Sequence, residues 1–159
     1  MISDSTQKPT LFDAIGGLPT LQKVHKIFYD KVYAHPWLGK FFIGHNQEAI
    51  ENRQTSFMAV KMGGDVTYLG KEPKMAHRAM YITQELFDLR TELLRDALKE
   101  VGVPDDLIER WVKIDSAFKK QIVKDSIEDF YKVTWKFEKR KIIPKDGVPA
   151  LPKSLDEHL

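Results

Sequence analysis

The residues with the widest chemical reach in this chain are its five histidines, His25, His35, His45, His77 and His158. No two of them stand in an HxxxH or HExxH spacing, so a zinc site built on one helix face is not indicated. The chain has no cysteine, which excludes disulfides, thiolate metal centres and cysteine nucleophiles together. Neither a GxSxG turn nor a phosphate-binding P-loop occurs. What remains is the chemistry of a single imidazole. Haem iron needs only one protein ligand, and a neutral histidine is the usual one, provided the rest of the pocket is apolar. A lone histidine is more often a surface or satisfied core group, so the elements that would position each one decide its meaning.

Those elements are helical. Met1 to Pro9 is a polar lead-in, expected to be disordered. Leu11 to Ile15 reads as a short helix closed by Gly16-Gly17, where the chain can take positive φ. Pro19 suits the first turn of the next helix, whose apolar residues Leu21, Val24, Ile27, Phe28 and Val32 recur at helical spacing. His35-Pro36 ends it, since a residue before proline avoids the α region. Trp37 to Asn46 is an aromatic connection with Phe41 and Phe42. Gln47 to Met62 is helical and is closed by Gly63-Gly64. Asp65 to Lys71 reads as an irregular loop, and Pro73 opens a short helix through Met80 that carries His77. Thr83 to Val101 bears a stripe of Leu86, Leu89, Leu93, Leu94 and Leu98, stopped by Gly102. A last helix begins near Pro104 with Leu107, Ile108, Trp111, Ile114, Phe118 and Ile122 and is expected to run on through Phe130 to Phe137. Pro144, Gly147, Pro149 and Pro152 make the remainder extended or disordered. No strand alternation and no internal repeat are present.

The length, 159 residues, suits one domain. With 25 basic and 23 acidic side chains the net charge is +2, too weak to suggest nucleic-acid binding. No apolar run approaches the roughly 20 residues that span a membrane, and the N-terminus lacks an apolar signal core, so a cytoplasmic location is expected. Composition and periodicity alone describe a soluble helical domain, and a cofactor-free helical interaction protein is one reading of it.

Five segments, LFDAIGG, FYDKVYAHPWLGKFF, RQTSFMAVKMGG, YLGKEPKMAH and LKEVGVP, stand in the order and spacing of the truncated haemoglobins, which the chain resembles from about Leu11 to Val123. The Tyr-Gln pair described below, and the lack of tryptophan in the helix after His77, look most like group I. The resemblance implies an all-α, globin-like fold, a two-over-two helical sandwich around a haem pocket. The expected organisation is a lead-in over 1–9, a truncated-globin domain over 10–123 and an extension over 124–159, helical and then extended.

The resemblance also assigns roles. The cofactor is haem b, and His77 falls on the proximal histidine that ligates its iron. Phe42 falls on the phenylalanine that packs on the haem after the second helix. Tyr29 falls on the distal tyrosine that donates a hydrogen bond to bound oxygen, and Gln54 on a second distal polar position. Ile50 stands where many globins keep a distal histidine. Arg53 is placed to reach a haem propionate, although an ordinary surface arginine fits there too. Phe57, Met58, Ile82 and Phe87 fall on positions that line the porphyrin or the core beside it. His25 reads as a core or surface histidine and His45 as a solvated one. Two departures stand out. Tyr81 replaces a glycine, which implies a different path after the proximal helix. Arg90 replaces an apolar pocket residue, and there both a propionate contact and a shift of register stay open.

The function implied is binding of O2 or another diatomic gas, NO or CO. The alternative is nitric oxide dioxygenase activity with bound O2, which needs an electron donor or reductase that this chain does not encode. Peroxidase chemistry has less support, because no distal histidine is evident. In the extension, Ile127, Phe130, Tyr131, Trp135 and Phe137 form a stripe that must be covered, by the globin core, by a second copy in a homo-oligomer or by another partner.

Overall fold

The structure is a computed structural model and describes residues 9–137 and 139–145. The expected lead-in, apart from Pro9, and the proline-rich tail from residue 146 onward lie outside the described residues.

Local sequence sets most of the helix ends. Helix α1 (Leu11–Ile15) is capped by Thr10, whose side chain accepts from the Asp13 N–H at 3.1 Å. Helix α2 (Leu18–Ala34) has proline in its first turn and stops at His35, in extended conformation before Pro36. A 3₁₀ turn, Leu38–Phe42, follows. Helix α3 (Gln47–Lys61) is capped by Asn46. Helix α4 (Pro73–His77) is a single short piece ending at His77, earlier than the Met80 expected. Helix α5 (Gln84–Val101) is capped by Thr83 and closed by Gly102 at φ 90°. Helix α6 (Asp105–Ser116), the one-turn α7 (Lys119–Ile122) and α8 (Ile127–Thr134) complete the order.

The chain folds as an all-α, two-over-two globin-like sandwich: α2 packs on α3, α5 packs on α6, and α2 joins the two pairs by lying along α5. The core is where their apolar stripes meet. Leu21, Val24 and Phe28 of α2, Met58 and Ala59 of α3, Leu94 and Leu98 of α5, and Ile108 and Trp111 of α6 are buried. Each large side chain so buried stabilises the fold by about 1.5–3 kcal/mol. The glycine pair after α3 permits a close approach: a Cβ on Gly64 would lie 2.8 Å from the Phe12 ring and 3.0 Å from the Ala59 carbonyl. The Phe12 N–H donates to the Met62 carbonyl at 3.1 Å, so α1 closes onto the end of α3.

The continuous last helix expected from the apolar spacing is not formed. Helix α6 ends at Ser116, α7 turns away, and Val123 is extended before Ser126 caps α8. The break redirects the chain under α4, against which α7 packs. Two isolated parallel bridges result, Ile82 with Val123 and Met80 with Lys141. After α8 the chain returns as a strap. The Lys141 N–H donates to the Ala79 carbonyl at 2.7 Å, and the Tyr81 N–H donates to the Lys141 carbonyl at 2.8 Å. The Lys141 ammonium reaches the Phe41 carbonyl at 2.8 Å, and the Trp37 indole donates to the Ile143 carbonyl at 2.8 Å. Phe130 of the predicted stripe is fully buried, with its ring 5.5 Å from that of Tyr81, whereas Val133 and Trp135 stay exposed. The segment after His77 is thus pinned by the strap. A surface cleft of about 470 Å³ opens between strap and core, lined by Trp37, Tyr81, Leu86, Lys124 and Ile142 among others, and contains none of the residues assigned to the haem.

Candidate functional site

His77 is the last residue of α4, a helix opened by Pro73 and bounded by the irregular loop before it. Its Nδ1 lies 2.8 Å from the Pro73 carbonyl oxygen. A carbonyl only accepts, so Nδ1 carries the proton. Burial lowers the His77 pKa, with the charges of Arg90 and Lys124 adding to it and the Pro73 bond opposing it. The neutral imidazole is thus favoured, protonated on Nδ1, and its Nε2 lone pair is left for an electrophile. An orienting hydrogen bond on the other nitrogen is the arrangement of metal-ligating histidines. Among the described residues no cluster of three or more His, Asp or Glu side chains is placed to hold a metal ion by itself.

Tyr29 lies on the buried face of α2 with 6% of its surface exposed. Its ring packs edge-on against Phe28, with centroids 4.8 Å apart, and against Phe42 at 6.0 Å. Burial pushes its hydroxyl up to about 12, against the opposing charge of Arg90, so it keeps its proton and remains a donor. One turn back, His25 is fully in the core. Its Nδ1 lies 2.8 Å from Thr55 Oγ1, and burial, helped by Arg90, lowers it to about 3. His25 is therefore a neutral core histidine, and His45 is exposed in its loop.

Helix α3 presents a graded face. Met58 and Phe57 are buried, Ile50 and Gln54 are half-buried and Arg53 is exposed. The Phe57 ring meets those of Tyr68 and Phe118 at 5.2 Å each and lies beneath the Lys61 ammonium. Ile82 and Phe42 are half-buried at the margin of the core, and Phe87 is buried on α5. No extensive packing joins α3, which carries Gln54, to α4, which carries His77.

Arg90 forms a two-pronged ion pair with Asp115, Nη1 to Oδ2 at 2.5 Å and Nη2 to Oδ1 at 3.1 Å. The pair ties α5 to α6 through a carboxylate that is itself buried. Two residues that the sequence did not single out matter here. Asp115 carries a readable signal, an acidic side chain on the same helix face as Ile108 and Trp111. Lys124 carries none, because its partner is a backbone carbonyl 47 residues away.

The donor chemistry fits a haem: one neutral imidazole protonated on Nδ1, half-buried apolar side chains on α3 and beside it, and a protonated tyrosine in the core. The comparisons agree. The family model described as bacterial-like globin matches residues 10–132. The "Group 1 truncated hemoglobin" of Tetrahymena thermophila is 32% identical over 108 residues, 68% of this chain and 89% of that relative. A second Group 1 truncated hemoglobin, from Mycolicibacterium paratuberculosis, is 35% identical over 99 residues, 62% of this chain and 73% of that one. Among solved structures, the Fe(III) form of the truncated hemoglobin from Tetrahymena pyriformis superposes with a TM-score of 0.70 at 29% identity, covering 74% of this chain and 100% of that one. The strap beyond residue 132 lies outside the family match. With the helical order, the sandwich and these relatives in agreement, the chain belongs to the bacterial-like globins, among the truncated haemoglobins.

Proposed function

We propose that this chain holds haem b through the Nε2 of His77 and binds O2, or another diatomic gas, on the face of the haem that Tyr29 and Gln54 border. The observation that carries the reading is the bond between His77 Nδ1 and the Pro73 carbonyl, which orients the ring and leaves Nε2 unprotonated. The haem, once bound, supplies an iron that takes up diatomic gases reversibly. The protein's own residues do the rest. Phe42, Ile50, Phe57, Met58, Ile82 and Phe87 exclude water and give the porphyrin apolar contact. Tyr29 keeps its proton at neutral pH and donates it as a hydrogen bond to a polar ligand, in surroundings where such a bond is stronger than in water. Gln54, half-buried on α3, offers a second amide donor one turn beyond Ile50. Arg53, exposed on the same helix, would pair with a haem propionate.

Haem titration of the purified protein tests this. A Soret band is expected, lost or shifted in His77→Gly and partly restored by added imidazole. Equal haem affinity and an unchanged Soret position in His77→Gly would overturn the assignment, and no Soret band at all would favour the cofactor-free alternative.

A further inference from the structure

We propose that the cleft between the strap and the core is a binding site for a small organic carboxylate, whose aromatic or branched apolar body lies against the cleft walls and whose charge pairs with Lys124. The site is separate from the haem, since none of the residues assigned to the haem lines it.

Both sides of the cleft are tied down by the chain itself. On the strap, the Ile143 carbonyl accepts from the Trp37 indole N–H at 2.8 Å, and Lys145 pairs with Glu85 of α5 at 2.5 Å. On the core side, the Lys124 backbone N–H donates to the Ile82 carbonyl at 2.8 Å, next to the bridge between Ile82 and Val123. About 470 Å³ lies between the two sides, a volume typical of sites for small organic molecules. A site already formed costs its ligand little ordering.

The walls set the apolar half of the ligand. Trp37, Leu86 and Ile142 are buried, Tyr81, Val123 and Ile143 are half-buried, and all six line the cleft. The half-buried three still expose apolar surface there. A flat or branched hydrocarbon body that covers it is stabilised in proportion to the area removed from water. The Trp37 ring is held by its bond to Ile143, so it offers that body a fixed edge.

The charges set the polar half. Four ionisable side chains line the cleft, Glu85, Lys124, Asp125 and Lys145. Glu85 and Lys145 neutralise each other. Asp125 is exposed, where water and salt screen its charge. Lys124 is half-buried, and its ammonium donates to two neutral carbonyls, of His77 at 2.7 Å and Ile122 at 3.1 Å. No ion pair joins it to a carboxylate among the described residues. An ammonium has three donors, so the two carbonyls leave one for a ligand. The least solvated charge of the cleft is therefore positive and hydrogen-bonded without being neutralised. A carboxylate supplies the missing negative charge and accepts the remaining donor.

Calorimetric titration of the full-length protein with benzoate tests this, under reducing conditions and saturating CO, so that the open side of a haem iron is already taken. Benzyl alcohol controls for the apolar body alone and acetate for the charge alone. Benzoate is expected to bind with a Kd of about 1 mM, and both controls at least about 10-fold more weakly. In NMR spectra of the same form, the Trp37 indole resonance should shift and saturate with that Kd, with those of Trp111 and Trp135 unmoved. Lys124→Met is expected to weaken benzoate about 10-fold and leave benzyl alcohol unchanged. Asp125→Asn, at an exposed position, removes a like charge and is expected to tighten benzoate about 2- to 5-fold. Equal affinity for benzoate and benzyl alcohol overturns the site, as does saturation without a shift at Trp37, or no binding at about 20 mM benzoate. So does unchanged benzoate affinity in Lys124→Met; if that variant does not fold, unchanged or weaker affinity in Asp125→Asn overturns it instead.

Discussion

The Lys124 ammonium donates to the backbone carbonyl of His77 at 2.7 Å and to that of Ile122 at 3.1 Å. The bond ties the residue proposed to hold the iron to a segment 47 positions later in the chain. Because the carbonyl belongs to the end of α4, the lysine also caps that helix with positive charge. Lys124→Met keeps the length and apolar stem of the side chain and removes the bond. Amide hydrogen exchange over residues 79–82 is expected to quicken, and haem transfer to an apomyoglobin acceptor to speed up by about 10-fold, the lower end of the worth of a hydrogen bond to a charged group. Unchanged exchange at those amides would show that the strap does not hold the proximal segment.

Tyr29→Phe removes the buried hydroxyl and leaves the ring packed on Phe28 and Phe42. The O2 dissociation rate, measured by stopped flow, is expected to rise about 10- to 100-fold. Gln54→Leu should change it in the same direction by less, since Gln54 is only half-buried. Equal rates for wild type and Tyr29→Phe would remove Tyr29 from the distal role.

His25 makes stability depend on pH. It is faced by Thr55 of α3, Trp111 of α6, Arg90 of α5 and Tyr29 of its own helix, and none of these is anionic. Its folded pKa is lowered to about 3 from 6.5, so between those values the unfolded chain binds the extra proton. Stability is complete above the unfolded pKa and falls as pH drops through the window. Between pH 7.5 and 5 this one group is expected to cost about 2 kcal/mol. Denaturant unfolding of His25→Gln at the two pH values should show that much less pH dependence, and an identical slope would refute the linkage.

Arg140 is buried, donating from Nε and Nη2 to the Thr134 carbonyl and from Nε to the Thr134 hydroxyl, at 2.7–3.1 Å, with its guanidinium over Tyr131. It closes α8 and starts the return of the strap. Arg140→Ala is expected to cost about 1.5–3 kcal/mol, which lowers the melting temperature by about 4–10 °C in a chain of this size. Calorimetry measures it, and a shift under 1 °C would mean that the strap contributes nothing to the cooperative unit.

What the sequence by itself determined is what short-range physics controls. Thr10, Asn46, Thr83 and Ser126 cap helices because a side-chain oxygen reaches an N–H three residues on. Gly102 ends α5 because it takes positive φ without a Cβ clash. The stripes of α2 and α5 told which faces would be buried, and the five motifs told the family. The continuous last helix failed for the complementary reason. The spacing from Leu107 to Ile122 is compatible with one helix, but the chain gains more by turning at Ala117–Phe118, which lets Phe118 pack on Phe57 and brings Val123 beside Ile82. Those partners lie about 40 to 60 positions away and leave no local mark.

Arg90 and Asp115 fall between the two cases. Each is a charged residue on an otherwise apolar helix face, so each announces by itself that a partner is needed. Only the packing of α5 on α6 decides that they are partners of each other. A helix face is encoded by residues three and four apart. Which side chain lies across from it is settled when the helices dock, because crossing angle and register arise from the whole set of contacts.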